Sequence, residues 1–233
     1  MAACIRGIQP DLIGTQEGLY PQLKDIAADL QEYSWIGLGR DGGIRGEFMA
    51  IFYRTARFEP MEYDHFWLSS TPNVVASSTW GHSNRRMVTW VRFKELQSGK
   101  EFFFINTHLD HEVQKAREKA AALIRERVLG LKTTLPVLLV GDFNAEAGGN
   151  PAYSTLVGKD LFTDTWTTAA QHRGELVNTF HGFAPARKEG VRIDWILTRG
   201  DVTADAIEII QYSQAGQFPS DHFPVVAWLS WGR

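Results

Sequence analysis

Residues 135–144 read LPVLLVGDFN, an apolar run that ends in a carboxylate and a carboxamide two positions apart. The run has the length and the Val- and Leu-rich composition of a buried strand. Side chains at positions i and i+2 of a strand point the same way, so Asp142 and Asn144 are predicted to face one site. A second polar strand end, SDH at 220–222, precedes the apolar run Phe223–Trp228. Polar strand ends of this composition indicate phosphoryl chemistry.

Two long segments repeat apolar residues at helical spacing, and several shorter apolar runs have the length of strands. The long helices are predicted at Pro21–Gln31 and His111–Leu131. A short helix is predicted from Asn150, its cap, to Val157. Because both long helices can cover a sheet face, the pattern predicts a layered α/β domain with two packed sheets. The predicted strands are Met49–Tyr53, Met87–Phe93, Phe102–Leu109, Leu135–Val140, Ile193–Leu197, Ala206–Gln211 and Phe223–Trp228.

The composition is that of an ordinary globular protein, since 233 residues with 44% hydrophobic and 22% charged fit one large domain. A net charge of −3 argues against a broad nucleic-acid-binding surface, which needs a basic face. This net charge is compatible with a small phosphate ester as the substrate, and also with a local basic cleft on the surface. The lone Cys4 cannot form an internal disulfide. No stretch approaches a membrane span and residues 1–20 lack the shape of a secretory signal, so the chain is predicted to be cytoplasmic, with no membrane partner.

Glu17 and His108 are polar residues at the ends of apolar segments. Glu17 follows a short apolar run that includes Leu12 and Ile13. A carboxylate there is a natural ligand for Mg²⁺, which takes few protein carboxylates and keeps several waters. His108 follows Phe102–Ile105, and an imidazole at a strand end can donate to a phosphate oxygen. Taken alone, each residue has an ordinary alternative, which is a solvated loop glutamate or a histidine with only a structural role.

Asp194 and Arg85 are charged residues whose partners the sequence leaves open. Asp194 lies inside an apolar strand, where a carboxylate is costly to bury unless it is paired. Its partner is either His222, whose tautomer it would fix as in a catalytic triad, or Arg192 in a structural ion pair. Arg85 belongs to a pair of consecutive arginines, which either binds phosphate bidentately or is merely solvated.

The order of these motifs resembles that of the endonuclease/exonuclease/phosphatase superfamily, which has the DNase-I-like fold. The resemblance runs from about Pro10 to Trp228. The stretch Phe66–Ser69, followed by Arg85 and the Thr89-Trp90 strand, resembles a bacterial subgroup whose substrates are poorly defined. The resemblance implies a four-layer α/β/β/α sandwich of two packed mixed sheets flanked by helices. Five short motifs in the right order carry it: Gln16-Glu17, Asn106-Thr107-His108-Leu109, Gly141-Asp142-Phe143-Asn144, Arg192-Ile193-Asp194 and Ser220-Asp221-His222.

The resemblance also implies a metal-dependent hydrolase of phosphate esters that uses Mg²⁺ or Mn²⁺. Glu17 and Asp221 would bind the metal ion, and Arg85 and Asp110 would bind the substrate. Asp142 would orient and deprotonate the attacking water. The other catalytic residues would hold the water or phosphate, donate to the phosphoryl oxygens or align a donor: Asn144, His108, His222 and Asp194.

Membership of the superfamily does not choose the substrate, because one fold hosts many phosphate esters. A phosphodiesterase that acts on nucleic acid or on a small molecule is the leading prediction. The alternatives are a phosphomonoesterase of a sugar or nucleotide phosphate, and a catalytically impaired binding protein of the same fold.

One departure from the superfamily pattern concerns the N-terminus. Superfamily members begin with a strand that ends in an Asn beside the metal-binding Glu. Here only sixteen residues precede Glu17, and Met1–Ile8 is interpreted as a helix. Residues 1–233 are therefore expected to form one domain that lacks this first strand. The strands beside the gap would have unpaired edges, which predicts self-association.

Overall fold

Strands dominate the fold, and helices lie between some of them. The computed structural model describes residues 1–158, 161–188 and 190–232. No helix among these residues is long and apolar enough to cross a membrane. The helices are α1 (Ala2–Ile8), α2 (Tyr20–Asp29), α3 (Gln114–Gly130), α4 (Pro151–Val157) and α5 (Thr165–Thr168). The strands are β1 (Leu12–Leu19), β2 (Tyr33–Ile36), β3 (Glu47–Arg54), β4 (Phe58–Trp67), β5 (Met87–Glu95), β6 (Glu101–His108), β7 (Val137–Asp142), β8 (Thr163–Asp164), β9 (Gln171–Arg173), β10 (Asp194–Arg199), β11 (Val202–Ile209) and β12 (Val225–Trp231).

The strands form two packed layers. One layer is a six-stranded sheet with the order β4-β5-β6-β7-β10-β8, in which β6 and β7 run parallel. The three-stranded sheets β1-β3-β2 and β12-β11-β9 contribute apolar residues to the core on one face of that sheet. Helices α3 and α4 cover its other face, and α1 and α2 cover the outer face of β1-β3-β2. The predicted α/β/β/α sandwich of mixed sheets is therefore confirmed.

Strand β7 lies in the interior of the six-stranded sheet, and its sequence explains why. Val137 and Leu139 pack toward α3 and α4, whereas Leu138 packs between the sheets, so both faces of the strand are buried. A continuous apolar run of this kind is typical of an interior strand. Gly141 is required for the close pairing with β6, because a Cβ atom there would lie 2.1 Å from the carbonyl oxygen of Thr107.

The observed elements differ from the predicted ones at some boundaries, and the apolar pattern does not predict β2 or β4. Helix α3 begins at Gln114 rather than His111, because Asp110 Oδ1 accepts hydrogen bonds from the backbone N–H groups of the two residues before the helix. Strand β4 lies at a sheet edge, contains Pro60 and a bulge, and exposes side chains such as that of Tyr63. Its apolar alternation is therefore broken.

Strands β1 and β12 each pair on one side only within the described part of the chain, β1 with β3 and β12 with β11. A bulge between Thr15 and Gly18 interrupts β1, and Glu17 in this bulge has a left-handed φ of 61°. The sequence predicts Glu17 at the end of a short strand. In the structure it lies inside β1 instead. A bulge redirects a side chain, and here it sets Glu17 beside the polar strand ends described below.

Candidate active site

Strand register brings the polar ends of three neighbouring strands together. Strand β7 lies between β6 and β10, and the pairing sets Asp142 opposite His108 on one side and Asp194 on the other. The side-chain amide of Asn144 donates to Asp142 Oδ2 at 3.2 Å. His222, from the segment before β12, contacts Asp194. The five residues that the sequence predicts to be catalytic therefore lie in one site.

The Asp142 carboxylate is buried and is held from several sides. Oδ1 accepts a hydrogen bond from the backbone N–H of Asn144 at 2.8 Å. Oδ2 lies 3.3 Å from His108 Nε2 and 3.9 Å from His222 Nε2. Burial alone would raise the pKa of Asp142, but the hydrogen bond and proximity of His108, with the charge of His222, outweigh it and hold the pKa below its ordinary value. Asp142 is therefore ionised at neutral pH and can accept a proton.

His222 and Asp194 form an ion pair in which His222 Nδ1 donates to Asp194 Oδ2 at 2.9 Å. Burial would lower the pKa of His222, but the hydrogen bond and charge of Asp194 outweigh it and raise the pKa to about 9. Burial also raises the pKa of Asp194 above its ordinary value. Of the two partners that the sequence leaves open for Asp194, the structure has His222. Arg192 instead pairs with Asp164 at 2.6 Å.

Two clusters of possible ligand side chains lie in the site. The first consists of Asp142, Asp194 and His222, and the second consists of Glu17, Glu47 and His108. One potential ligand atom from each of the three residues lies within 4.8 Å of the other two, and Glu17 Oε1 is 4.0 Å from His108 Nε2. The Glu17 side chain is 59% exposed, whereas that of His108 is 1% exposed. Glu47, the first residue of β3, is also paired with Arg40 at 2.6 Å. The two carboxylates fit a hard divalent cation, which prefers oxygen ligands.

The two consecutive arginines before β5 have different surroundings. Arg85 is 46% exposed and donates to Asp41 at 3.0 Å and to the carbonyl of Ala76 at 2.8 Å, so it joins two loops. Arg86 is 4% exposed, and its Nη1 lies 2.8 Å from Nδ1 and 3.0 Å from Nε2 of His108. The buried arginine of the pair is therefore the one that meets the site.

Two further predicted residues lie near the site but outside both clusters. Asp221 is partly exposed and belongs to neither cluster of possible ligands found among the described residues. Asp110 is buried, with Oδ1 bonded to the backbone before α3 and Oδ2 3.8 Å from Arg86 Nε. Metal binding by Asp221 and substrate binding by Arg85 and Asp110 stay predictions.

The sequence does not single out Glu47 or Arg86. Glu47 follows a Gly-rich loop rather than an apolar run, so no strand-end pattern marks it. Arg86 directly precedes Met87, the first residue of β5. Successive side chains of an extended segment point to opposite faces. This alternation is the sequence signal that could have shown that Arg85 and Arg86 face opposite sides of the strand.

Comparison with known proteins shows relatives along almost the whole chain. The chain is 27% identical to Protein angel of Drosophila melanogaster over 198 residues, 82% of this chain and 54% of that protein. It spans about half the length of the curated relatives that it matches, 54% and 56%. Among solved structures, a Bacteroides thetaiotaomicron mannosyl-6-phosphatase is 35% identical, with a TM-score of 0.92 over 99% of this chain and 89% of that one.

A second solved structure from Bacteroides thetaiotaomicron, an endonuclease/exonuclease/phosphatase family protein, is also 35% identical. Its TM-score is 0.94 over 100% of this chain and 88% of that one. The model of the Endonuclease/Exonuclease/phosphatase family matches residues 1–222. Its match includes all five motifs and the strand ends that form the site, so this chain belongs to the endonuclease/exonuclease/phosphatase family.

Proposed function

We propose that this chain hydrolyses a phosphate ester, with Asp142 as the general base that activates the attacking water and a divalent metal ion as cofactor. The observation that carries the proposal is the position of Asp142, whose carboxylate lies between His108 and His222 with a lowered pKa. An ionised carboxylate within reach of the reacting centre can take a proton from water. The two histidines can donate to oxygen atoms on which charge develops.

Glu17 and Glu47 are the residues that would hold the metal ion. Family members generally use divalent metal ions, and the two carboxylates provide the oxygen ligands that Mg²⁺ or Mn²⁺ prefers. When bound, the ion supplies a Lewis acid for a phosphoryl oxygen. The exposure of Glu17 supports this assignment, because a metal site needs an entry path.

His222 would act as a positively charged donor. With a pKa of about 9 it is protonated at neutral pH, and Asp194 holds its Nδ1. Its Nε2–H therefore stays available on the side of Asp142, 3.9 Å from Oδ2. A preorganised donor of this kind stabilises negative charge on a non-bridging oxygen in the transition state. The Asn144 amide, beside the same carboxylate, would help to orient the water.

A sugar phosphomonoester is the substrate class that we propose. The support is the 35% identical mannosyl-6-phosphatase, which covers 99% of this chain. A net charge of −3 also favours a small ester over a long nucleic acid. Phe180 is 46% exposed, and its ring lies 5.1 Å from that of His222, so the leaving group could pack on it. A phosphodiester is the second candidate, because an exposed aromatic ring also stacks on a nucleobase.

Steady-state rates on mannose 6-phosphate, p-nitrophenyl phosphate and bis-p-nitrophenyl phosphate, each with Mg²⁺, Mn²⁺ or EDTA, test the proposal. We expect metal-dependent hydrolysis of the two monoesters and slower hydrolysis of the diester. Faster hydrolysis of the diester would select the second candidate. If folded protein with bound metal turned over none of the three, the proposed activity would be wrong and a binding protein would be the better description.

A further inference from the structure

Thr179 is a buried residue that contacts the backbone on both sides of the Asp194–His222 ion pair. Its hydroxyl accepts hydrogen bonds from backbone N–H groups at the start of β10, and its carbonyl accepts one from the N–H of Phe223. We propose that Thr179 is a positioning residue whose hydroxyl sets the hydrogen bond between Asp194 and His222.

The Thr179 hydroxyl holds the backbone that carries the Asp194 carboxylate. Its Oγ1 accepts from the N–H of Ile193 at 3.0 Å and from the N–H of Asp194 at 3.2 Å. A hydroxyl oxygen has two lone pairs, so this one group can satisfy both donors. Thr179 is 0% exposed, so bulk water is not at hand to replace it as the acceptor. Loss of the hydroxyl would therefore be costly at the residue that pairs with His222.

The main chain of Thr179 holds the segment that carries His222. The carbonyl of Thr179 accepts a hydrogen bond from the N–H of Phe223 at 2.8 Å. The next residue, Phe180, lies opposite His222 in an antiparallel bridge. The N–H of His181 then donates to the carbonyl of the residue before His222, also at 2.8 Å. The backbone of His222 is therefore held by a hydrogen bond on either side.

The ion pair depends on such positioning because its two residues come from different layers of the fold. Asp194 begins a strand of the six-stranded sheet, whereas His222 lies just before β12 in the other layer. The hydrogen bond from His222 Nδ1 to Asp194 Oδ2 is 2.9 Å long, and a bond of this kind weakens steeply when its geometry changes. Thr179 contacts the backbone of both segments, so it fixes their separation at this point.

The hydroxyl of Thr179 also favours the charged form of Asp194. Burial raises the pKa of Asp194, and the hydrogen bond of His222 and the Thr179 hydroxyl are among the groups that oppose this rise. A charge-assisted hydrogen bond needs both the right position and the right charge of its acceptor. Thr179 contributes to both.

For catalysis, this inference deepens the proposed function and rests on it. A displaced Asp194 would leave the imidazole of His222 free to turn, so that Nε2–H would no longer stay on the side of Asp142. Displacement of a group by about 1 Å can cost about 100-fold in rate. Phe180, the next residue, would instead contact the leaving group. Neighbouring residues of one segment would therefore affect different kinetic parameters.

Side-chain ¹⁵N–¹H spectra of His222 test the positioning role without turnover. We expect a downfield Nδ1–H resonance, protected from exchange, in the wild-type protein at neutral pH with EDTA, assigned by its absence in His222→Gln. Thr179→Val, which keeps the shape but lacks the hydroxyl, should shift this resonance upfield or remove it. Thr179→Ser, which keeps the hydroxyl, should retain it. The control is Thr89→Val in β5, which removes an equally buried hydroxyl that bonds to His65 at 3.0 Å.

Steady-state kinetics of the same variants test the catalytic part. We expect kcat of Thr179→Val to fall about 10–100-fold with KM little changed, whereas Phe180→Ala should raise KM. A folded Thr179→Val protein that keeps both the resonance and kcat overturns the proposal. If Thr179→Val does not fold, Thr179→Ala and Thr179→Ser decide, because they differ only in the hydroxyl, and equal results for the two overturn the proposal.

The wild-type spectrum is itself a test, since the absence of a protected His222 Nδ1–H resonance would also overturn the proposal. The spectra need no substrate. If the wild-type protein hydrolysed no phosphate ester, the proposed function would fail, and the spectra would still decide the role of Thr179.

Discussion

The two clusters of the site differ in how firmly the protein holds them. In the first cluster, Asp142 and Asp194 lie on the six-stranded sheet, and each accepts a hydrogen bond from a neighbouring side chain. In the second, Glu17 lies in a bulge of the edge strand β1, has a positive φ and is largely exposed. Packing therefore fixes the groups that would move protons, while the carboxylate that would meet a metal ion is left open to solvent.

This difference follows from what each group would have to do. A general base and its neighbouring donors act more strongly when they are buried and already oriented, because water screens them less. A metal ligand must instead allow an ion and its waters to enter. If this comparison is right, substitutions in the first cluster should change rates strongly, and substitutions in the second should mainly change metal binding.

The largest effect is expected for Asp142→Asn. A carboxamide cannot accept the proton of the attacking water, so kcat should fall on the order of 10²–10⁴-fold, the usual contribution of general acid–base catalysis. The melting temperature should stay near that of the wild-type protein, because the two side chains have the same shape. The matched control is Asp205→Asn on β11, an exposed position whose carboxylate accepts a hydrogen bond from Ser230. A near wild-type rate for Asp142→Asn on folded protein would remove Asp142 from the mechanism.

A smaller effect, which depends on pH, is expected for Asp194→Asn. The ion pair raises the pKa of His222 to about 9, so activity that needs the protonated ring should persist below that pH and be lost as the pH rises through it. Without the charge of Asp194 the pKa of His222 falls, by about 1–3 units for the loss of a close opposite charge. The alkaline limb of the pH–rate profile should therefore move to lower pH. An unmoved limb would show that another group titrates there.

Much of the fold could be predicted because burial leaves a pattern in the sequence. The apolar run of β7 predicted an interior strand, and the spacing in α3 predicted a helix that covers a sheet. Strand β4 could not be predicted, since an edge strand with Pro60 and exposed polar positions lacks alternation. The bulge in β1 has no apolar signature either, and the backbone conformation of Glu17 depends on pairing with β3.

The site was partly predictable for a related reason. Asp142 and Asn144 stand at the end of an apolar run, so local sequence marks them. Glu47 meets the site through the pairing of β3 with β1, and Arg86, just before β5, meets it through the pairing of β5 with β6. The residues next to Glu47 and Arg86 in the sequence carry no signal of contacts that arise from strand pairing. The resemblance to a family supplied the motif residues, but it did not supply these two.

A still smaller effect, on metal binding, is expected for Glu17→Gln. A metal ion that binds only the folded chain stabilises it, by about 2.7 kcal/mol at a concentration of 100 times Kd. A neutral amide is a poorer ligand for a hard cation, so the rise in melting temperature with Mn²⁺ should shrink in Glu17→Gln and also in Glu47→Gln. Glu126→Gln, at an exposed position of α3, is the control. Equal shifts in all four proteins would place the ion elsewhere and leave Asp221 as the better candidate.

The smallest effect concerns the exposed sheet edges at β1 and β12. In the described residues β1 pairs only with β3 and β12 only with β11, so each presents backbone donors and acceptors on its other side. Edges of this kind pair with other chains unless a charge blocks them. We therefore propose weak self-association through these edges, which Ser230→Lys on β12 should reduce, as measured by light scattering across a concentration series. Thr203→Lys carries the same charge on β11, one strand further in, and should reduce it less. If both variants and the wild-type protein stay monomeric at every concentration, the edges do not associate. In that case no second copy of the chain covers Glu17 on β1.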